Sequence, residues 1–245
     1  MKKIILKIGT LNFQSGVGVI KGYWQYPLLA WKYLLANSTK SIKKVSHFIH
    51  KEDIDILGVI EINNKSIRTL NRNQAELISE GTKLKEKAFF SDYEISPFVN
   101  YGNALVSKYP IIKQEKIKIF SRLEPRYLAN VKIRLPLSTL EIFLVHLSVG
   151  KKDRTIQIRQ IAKIVKKIKG PSLIMGDFNT FSENELSPFI SGGFKQFKEP
   201  KTYPSWNPKV ALDHILVKSA NIKRIYAYKK KLFSDHLPLV AEIEI

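Results

Sequence analysis

The 245-residue chain has no cysteine, which excludes a disulfide framework and any thiolate chemistry and leaves its redox compartment open. No apolar run reaches the roughly 20 residues that a membrane-spanning helix needs. No linker, repeat or low-complexity segment interrupts it, so a single domain over residues 1–245 is expected. Acidic residues are also in short supply: 21 Asp and Glu stand against 41 Lys and Arg, a formal charge of +20. That excess favours a polyanionic partner, nucleic acid or an acidic membrane face. It is mostly lysine, scattered among isoleucine and asparagine, a mixture that A/T-rich codon usage would also produce. The basic opening Met1-Lys2-Lys3 begins like a signal peptide, yet Lys7 breaks the apolar region and no small-residue cleavage site follows. A first strand and a cytoplasmic location are expected.

A hydrophobic content of 44% supports a sizeable core, and its patterning is strand-rich. The run Leu173-Ile174-Met175, bounded by Gly170-Pro171 and Gly176, has strand length and ends in Asp177-Phe178-Asn179. If the extended conformation persists, Asp177 and Asn179 share a side; a strand-ending turn built on the Asp177 side chain is the structural alternative. Similar strands end in polar groups at Ile4 to Asn12 and at Ile54 to Glu61. Further strands are expected over 103–107, 111–120, 128–135 and 140–147, the last carrying His146, and over 212–217 and 239–245. Helical spacing marks 38–51, 74–87 and 154–169, with lysines off the apolar stripes. Residues 23 to 35, opening at Gly22-Tyr23-Trp24 with Pro27 at a helix start, form either a helix packed on the domain or a substrate-facing or membrane-interfacial element.

Polar groups therefore stand at strand ends at Asn12, Glu61, His146, Asp177, Asn179, Asp213 and Asp235-His236, where open sheets place their sites. Hydrolysis of a phosphoester needs acidic metal ligands, a base for water and donors for phosphoryl oxygens, and this set contains each. Read together, Thr10-Leu11-Asn12, Gly58-Val59-Ile60-Glu61, Gly102-Asn103-Ala104-Leu105-Val106-Ser107, His146-Leu147-Ser148, Gly176-Asp177-Phe178-Asn179, Leu212-Asp213-His214 and Ser234-Asp235-His236-Leu237-Pro238 resemble, in order, the endonuclease/exonuclease/phosphatase (deoxyribonuclease I-like) superfamily.

That resemblance implies a four-layered α/β sandwich, two mostly antiparallel sheets face to face with helices outside and a site at one edge. It implies metal binding by Glu61 with Asn12 and Asp235 close by, and water activation by His236 supported by Asp213. Asp177 and Asn179 would handle the nucleophile or leaving group, with His146 a further catalytic position. Arg126, Asn179 and Asn103 would contact the substrate phosphate. The deoxyribonuclease glutamate that accompanies the first histidine has no clear match, Tyr101 or Asn103 lying near its place. Oxygen ligands favour Mg²⁺, with Mn²⁺ able to substitute. A monomeric Mg²⁺-dependent phosphodiesterase acting on nucleic acid is expected. The alternative is a phospholipid head-group phosphodiesterase or inositol-phosphate phosphatase, with peripheral membrane contact through residues 23–35.

Overall fold

Strands with apolar side chains at alternate positions have two usable faces. A computed structural model of the chain, which describes residues 3–29, 32, 39–65, 69, 71–95, 99–198, 200–230 and 234–245, shows both faces buried over much of the sheet area. One sheet contains β1 (Ile5–Asn12), β2 (Ile56–Asn63), β3 (Glu86–Ile95), β4 (Val99–Ser107), β10 (Asn221–Ala227) and β11 (Leu239–Glu244) in the order β10-β11-β1-β2-β4-β3. The other contains β5 (Ile111–Ile119), β6 (Arg126–Arg134), β7 (Thr139–His146), β8 (Ser172–Asp177) and β9 (Asp213–Lys218) in sequential order. Both sheets are mixed: β1 runs parallel to β2 and β7 to β8, and the remaining pairs are antiparallel.

Three apolar layers hold the sandwich together. Leu6, Ile8, Ile56 and Leu105 from the first sheet meet Ile142, Leu144, Leu173, Met175, Ile215 and Val217 from the second. At the centre of that seam Gly58 lets the sheets close up, since a Cβ there would lie 2.5 Å from Leu144 Cδ2 and 2.9 Å from Met175 Cε. The outer face of the first sheet takes α2 (Thr39–Glu52), through Ile42, Val45, Phe48 and Ile49, and α3 (Gln74–Glu80). The outer face of the second takes α4 (Lys151–Val165), through Ile158, Ile161 and Val165, and α5 (Ser187–Ser191). The result is the expected helix–sheet–sheet–helix sandwich. Among the described residues no helix is long and apolar enough to cross a membrane.

Several elements differ from the sequence expectation, each for a local reason. The helix expected over 74–87 begins where Asn73 caps the backbone N–H groups of Ala75 and Glu76, but it stops at Glu80, and Glu86-Lys87 already belong to β3. Gly81 ends it, and Thr82 turns its hydroxyl back to the carbonyl of Ile78. α4 starts earlier than 154 because Gly150 is its N-cap, and it ends at Val165, leaving Lys166 to Lys169 beyond it. β10 has no counterpart among the expected strands; it is an edge strand with only Ile222 buried, so it lacks apolar alternation. Within residues 23–35, α1 (Gln25–Leu29) buries no residue; Ala30, Trp31 and 33–35 lie outside the described residues.

The strand that carries Asp177 depends on Gly176, whose φ is +139° and whose added Cβ would sit 2.0 Å from the carbonyl oxygen of Val145 on β7. Gly176→Ala is therefore expected to lower stability by about 1–3 kcal/mol, read as a lower denaturant midpoint with an unchanged slope. An unaltered midpoint would contradict this packing.

Candidate active site

The inter-sheet stripes that form the core do not stop at the edge of the sandwich; they change chemistry there. Ile142 and Leu144 lead by period two to His146, Leu173 and Met175 to Asp177, Val217 and Ile215 to Asp213, Leu6 and Ile8 to Asn12, and Leu105 to Asn103. Strand register lines up His146 with Asp177 and Asp177 with Asp213. Alternation alone turns these polar side chains into the gap between the sheets.

Glu61 arrives by another route. Val59 and Leu57 belong to the outer apolar layer, so uninterrupted alternation would send Glu61 outward. Between Val59 and Ile62 the register with β4 shifts, and Glu61 takes φ +56°; this bulge re-aims its carboxylate to the inner side. β2 thus runs through Glu61 to Asn63 instead of ending there. Asn103, opposite the bulge, accepts from the Glu61 N–H at 3.4 Å and donates from Nδ2 to Asp92 at 2.8 Å. Both ends of the Asn103 amide are engaged, so it supports Glu61 from behind, where a phosphate contact was expected.

Asn12 bridges the two halves: its Nδ2 donates to Glu61 Oε1 at 3.1 Å and to Asp177 Oδ2 at 3.0 Å, while its Oδ1 accepts from the Gln14 N–H. Asn179 has φ +50°, so the extended run ends after Asp177, and the expected side-by-side pair becomes a turn. Its N–H donates to Asp177 Oδ1 at 2.9 Å and its Nδ2 to the Leu147 carbonyl. His236 Nδ1 lies 2.8 Å from Asp213 Oδ2, and its Nε2 lies 3.8 Å from Asp177 Oδ2. His146 Nε2 lies 3.7 Å from Glu61 Oε1 and 4.0 Å from Asp177 Oδ2. The ligand atoms of Asp177, Asp213 and His236 all fall within 4.8 Å of one another. Arg126 is buried at 8% side-chain exposure, with Nη1 on His146 Nδ1 and Nη2 on Glu124 Oε2, each at 2.8 Å; the expected free phosphate donor is largely committed within the protein.

Crowding of acids in a desolvated edge sets the electrostatics. Burial pushes the Glu61 carboxyl up to about 7, aided by the charges of Asp235 and Asp177 and opposed by the Asn12 hydrogen bond. Burial lifts Asp177 to about 6, with the Asp213 charge adding and the His236 charge subtracting. Burial would lower His236, but the charges of Asp213, Asp177 and Asp235 outweigh it and hold the imidazole well above its usual value. His146 is held well below, by burial and by the Arg126 charge.

Sequence reasoning missed several members. Tyr26 donates its hydroxyl to Asp235 Oδ2 at 2.5 Å, and the Tyr203 ring packs on His236 with centroids 4.9 Å apart. Tyr23 joins them, edge-on to Trp206 at 5.2 Å. Asp92, raised to about 7 by burial, stands behind Asn103. No motif marks these residues; only the aromatic richness of residues 23–26 and 203–206 was a signal.

Comparison with known proteins bears on the fold and the family. An UPF0294 protein of Vibrio campbellii is 27% identical over 147 residues, 58% of this chain and 50% of that one. The chain spans about half the length of the curated relatives it matches. Among solved structures, an endonuclease/exonuclease/phosphatase family protein from Bacteroides thetaiotaomicron superposes with a TM-score of 0.75 at 15% identity, covering 100% of this chain and 99% of that one. A mannosyl-6-phosphatase from Bacteroides thetaiotaomicron VPI-5482 superposes with a TM-score of 0.71 at 14% identity, covering 97% and 99%. At such identities these likenesses bear on the fold alone. The Endonuclease/Exonuclease/phosphatase family model matches residues 9–236, a span that takes in every residue of the cluster from Asn12 to His236, and the chain therefore belongs to this family of phosphoester hydrolases.

Proposed function

We propose that the protein is a divalent-metal-dependent phosphodiesterase acting on nucleic acid. The observation that carries the reading is the buried Asp213–His236 pair, which directs His236 Nε2 toward Asp177 while Glu61 and Asp235 face the same space. Asp213 holds Nδ1–H and leaves Nε2 to take or give the proton of an attacking water. Asp177 is fixed by hydrogen bonds from Asn12 and from the Asn179 backbone, so its carboxylate can orient that water without reorganising.

The residues fit a hard cation. Glu61 and Asp177 are forced up to about 7 and about 6 by burial beside other carboxylates, an effect that a protonated His236 offsets at both, and oxygen donors crowded in this way suit Mg²⁺, or Mn²⁺ in its place. Glu61 and Asp235 would hold it, with Asn12 beside them. When bound, such an ion supplies Lewis-acid polarisation of the phosphoryl oxygen.

Basic groups on one flank favour a polyanion. On one side Lys198, Lys201 and Lys209 line a cavity of ≈ 280 Å³ with Thr180 and His214. On the other, Arg122 and Arg126 line one of ≈ 520 Å³ but are already paired there with Asp153 and Glu124. A second reading, a lipid head-group phosphodiesterase working at a membrane surface, draws on Trp24 and Leu28, which are 59% and 61% exposed on the element that carries Tyr26 to Asp235.

Chelation is expected to abolish hydrolysis and Mg²⁺ to restore it, and His236→Ala and Asp177→Asn should each lower turnover by at least ~10²-fold with far-ultraviolet circular dichroism unchanged. Near-normal turnover in either variant would remove that residue from the mechanism. For the substrate, replacing Lys198, Lys201 and Lys209 together with glutamine should flatten the dependence of log K for DNA on log salt by roughly 0.9 for each phosphate that these lysines neutralise. Vesicle binding that survives high salt and disappears in a Trp24→Ser, Leu28→Ser double variant, with no DNA cleavage, would select the second reading.

A further inference from the structure

The two histidines of the site face chemically opposite partners. A guanidinium has five N–H donors and no acceptor, and Arg126 Nη1 stands 2.8 Å from His146 Nδ1. That nitrogen must therefore be the acceptor. A neutral imidazole has one donor and one acceptor nitrogen, so the proton of His146 sits on Nε2. An imidazolium would set two positively charged donors against each other across the same 2.8 Å. His236 is the reverse: its Nδ1 faces the Asp213 carboxylate at 2.8 Å, so Nδ1 carries the proton and Nε2 is the nitrogen that accepts one.

The contact is built, not incidental. The Arg126 plane is pinned by its second arm on Glu124 Oε2 at 2.8 Å, and the side chain is 8% exposed. Among the described residues the Nε2–H of His146 in turn has no carboxylate within hydrogen-bond length: Glu61 Oε1 is 3.7 Å away and Asp177 Oδ2 is 4.0 Å away. It is a donor on a buried ring, facing the two carboxylates between which the reacting group would lie.

We propose that Arg126 is a positioning residue that fixes His146 as a neutral imidazole protonated on Nε2, so that His146 serves as a hydrogen-bond donor to a phosphoryl oxygen. This rests on the phosphoester-hydrolase reading of the site. It also leaves His146 unable to ligate a cation through its inward nitrogen, which carries a hydrogen, and it assigns the buried arginine to the histidine in place of the substrate phosphate.

The test is two-bond ¹H–¹⁵N correlation spectroscopy of the full chain labelled with ¹⁵N-histidine, with His146→Gln identifying the His146 resonances among the five histidines. Around neutral pH His146 should show a pyridine-type Nδ1 and a pyrrole-type Nε2, and His236 should show a protonated Nδ1. A pyrrole-type Nδ1 on His146, or a doubly protonated ring, overturns the proposal, and the wild-type spectrum alone suffices for that. Arg126→Lys, which keeps a donor-only cation, should retain the pattern; Arg126→Met should lose it and lower kcat at least ~10-fold with KM little changed. An Arg126→Met protein with the wild-type tautomer and kcat would also overturn it. Because the spectrum needs no turnover, absence of hydrolysis in the wild type would count against the proposed function and not against the tautomer.

Discussion

Desolvated negative charge is the constraint on which the rest of this site depends. Glu61, Asp177, Asp213 and Asp235 converge where the inter-sheet seam meets solvent, and acids crowded in a low-dielectric edge repel one another far more strongly than they would in water. The neighbouring groups are arranged to offset that repulsion. Asn12 donates both protons of its amide to two of the carboxylates, Asn179 lends a backbone N–H to Asp177, Tyr26 donates to Asp235, and Asp213, Asp177 and Asp235 together raise the proton affinity of His236. What remains uncompensated is what makes the place suited to a hard cation and to a proton in transit.

The same constraint accounts for how the two sheets divide the work. The second sheet, through β7, β8 and β9, supplies His146, Asp177 and Asp213 in register, so their spacing is that of a rigid ladder. The first sheet supplies Asn12 by alternation and Glu61 by a bulge, so the Glu61 carboxylate is set by a local backbone distortion with Asn103 and Asp92 behind it. Asp235 and His236 come from the loop before β11, where Ser234 donates to the Asn12 carbonyl and ties that loop to β1. Precise placement thus comes from strands where alternation allows it, and from one bulge and one anchored loop where it does not.

Much of this was legible from residue order. Polar residues at the ends of apolar runs located Asn12, His146, Asp177 and Asp213, because a strand's period of two makes the last inward residue an extension of the core. The pairing of Asp213 with His236 and the layered fold followed from the ordered motifs. What was not legible depended on backbone geometry or on residues distant in sequence. Nothing in Val59-Ile60-Glu61-Ile62 announces a bulge, and nothing in Asp177-Phe178-Asn179 decides that Asn179 turns to a positive φ. The partners of Arg126 and Asn103 are the side chains of His146 and Asp92, 20 and 11 residues away, and residue order does not show these contacts. Tyr26 lies 209 residues from Asp235 in the chain, in a segment whose composition pointed outward to solvent or membrane as readily as inward to the site.

The central claim is the proposal that the site hydrolyses a phosphodiester by attack of water at phosphorus. Hydrolysis of a phosphodiester by the purified protein in ¹⁸O-enriched water, with the products analysed by mass spectrometry, tests it most directly. The account predicts one ¹⁸O in the phosphoryl product of each turnover, and none in the released alcohol. Label appearing in the alcohol, which would mean cleavage of the carbon–oxygen bond, would contradict it.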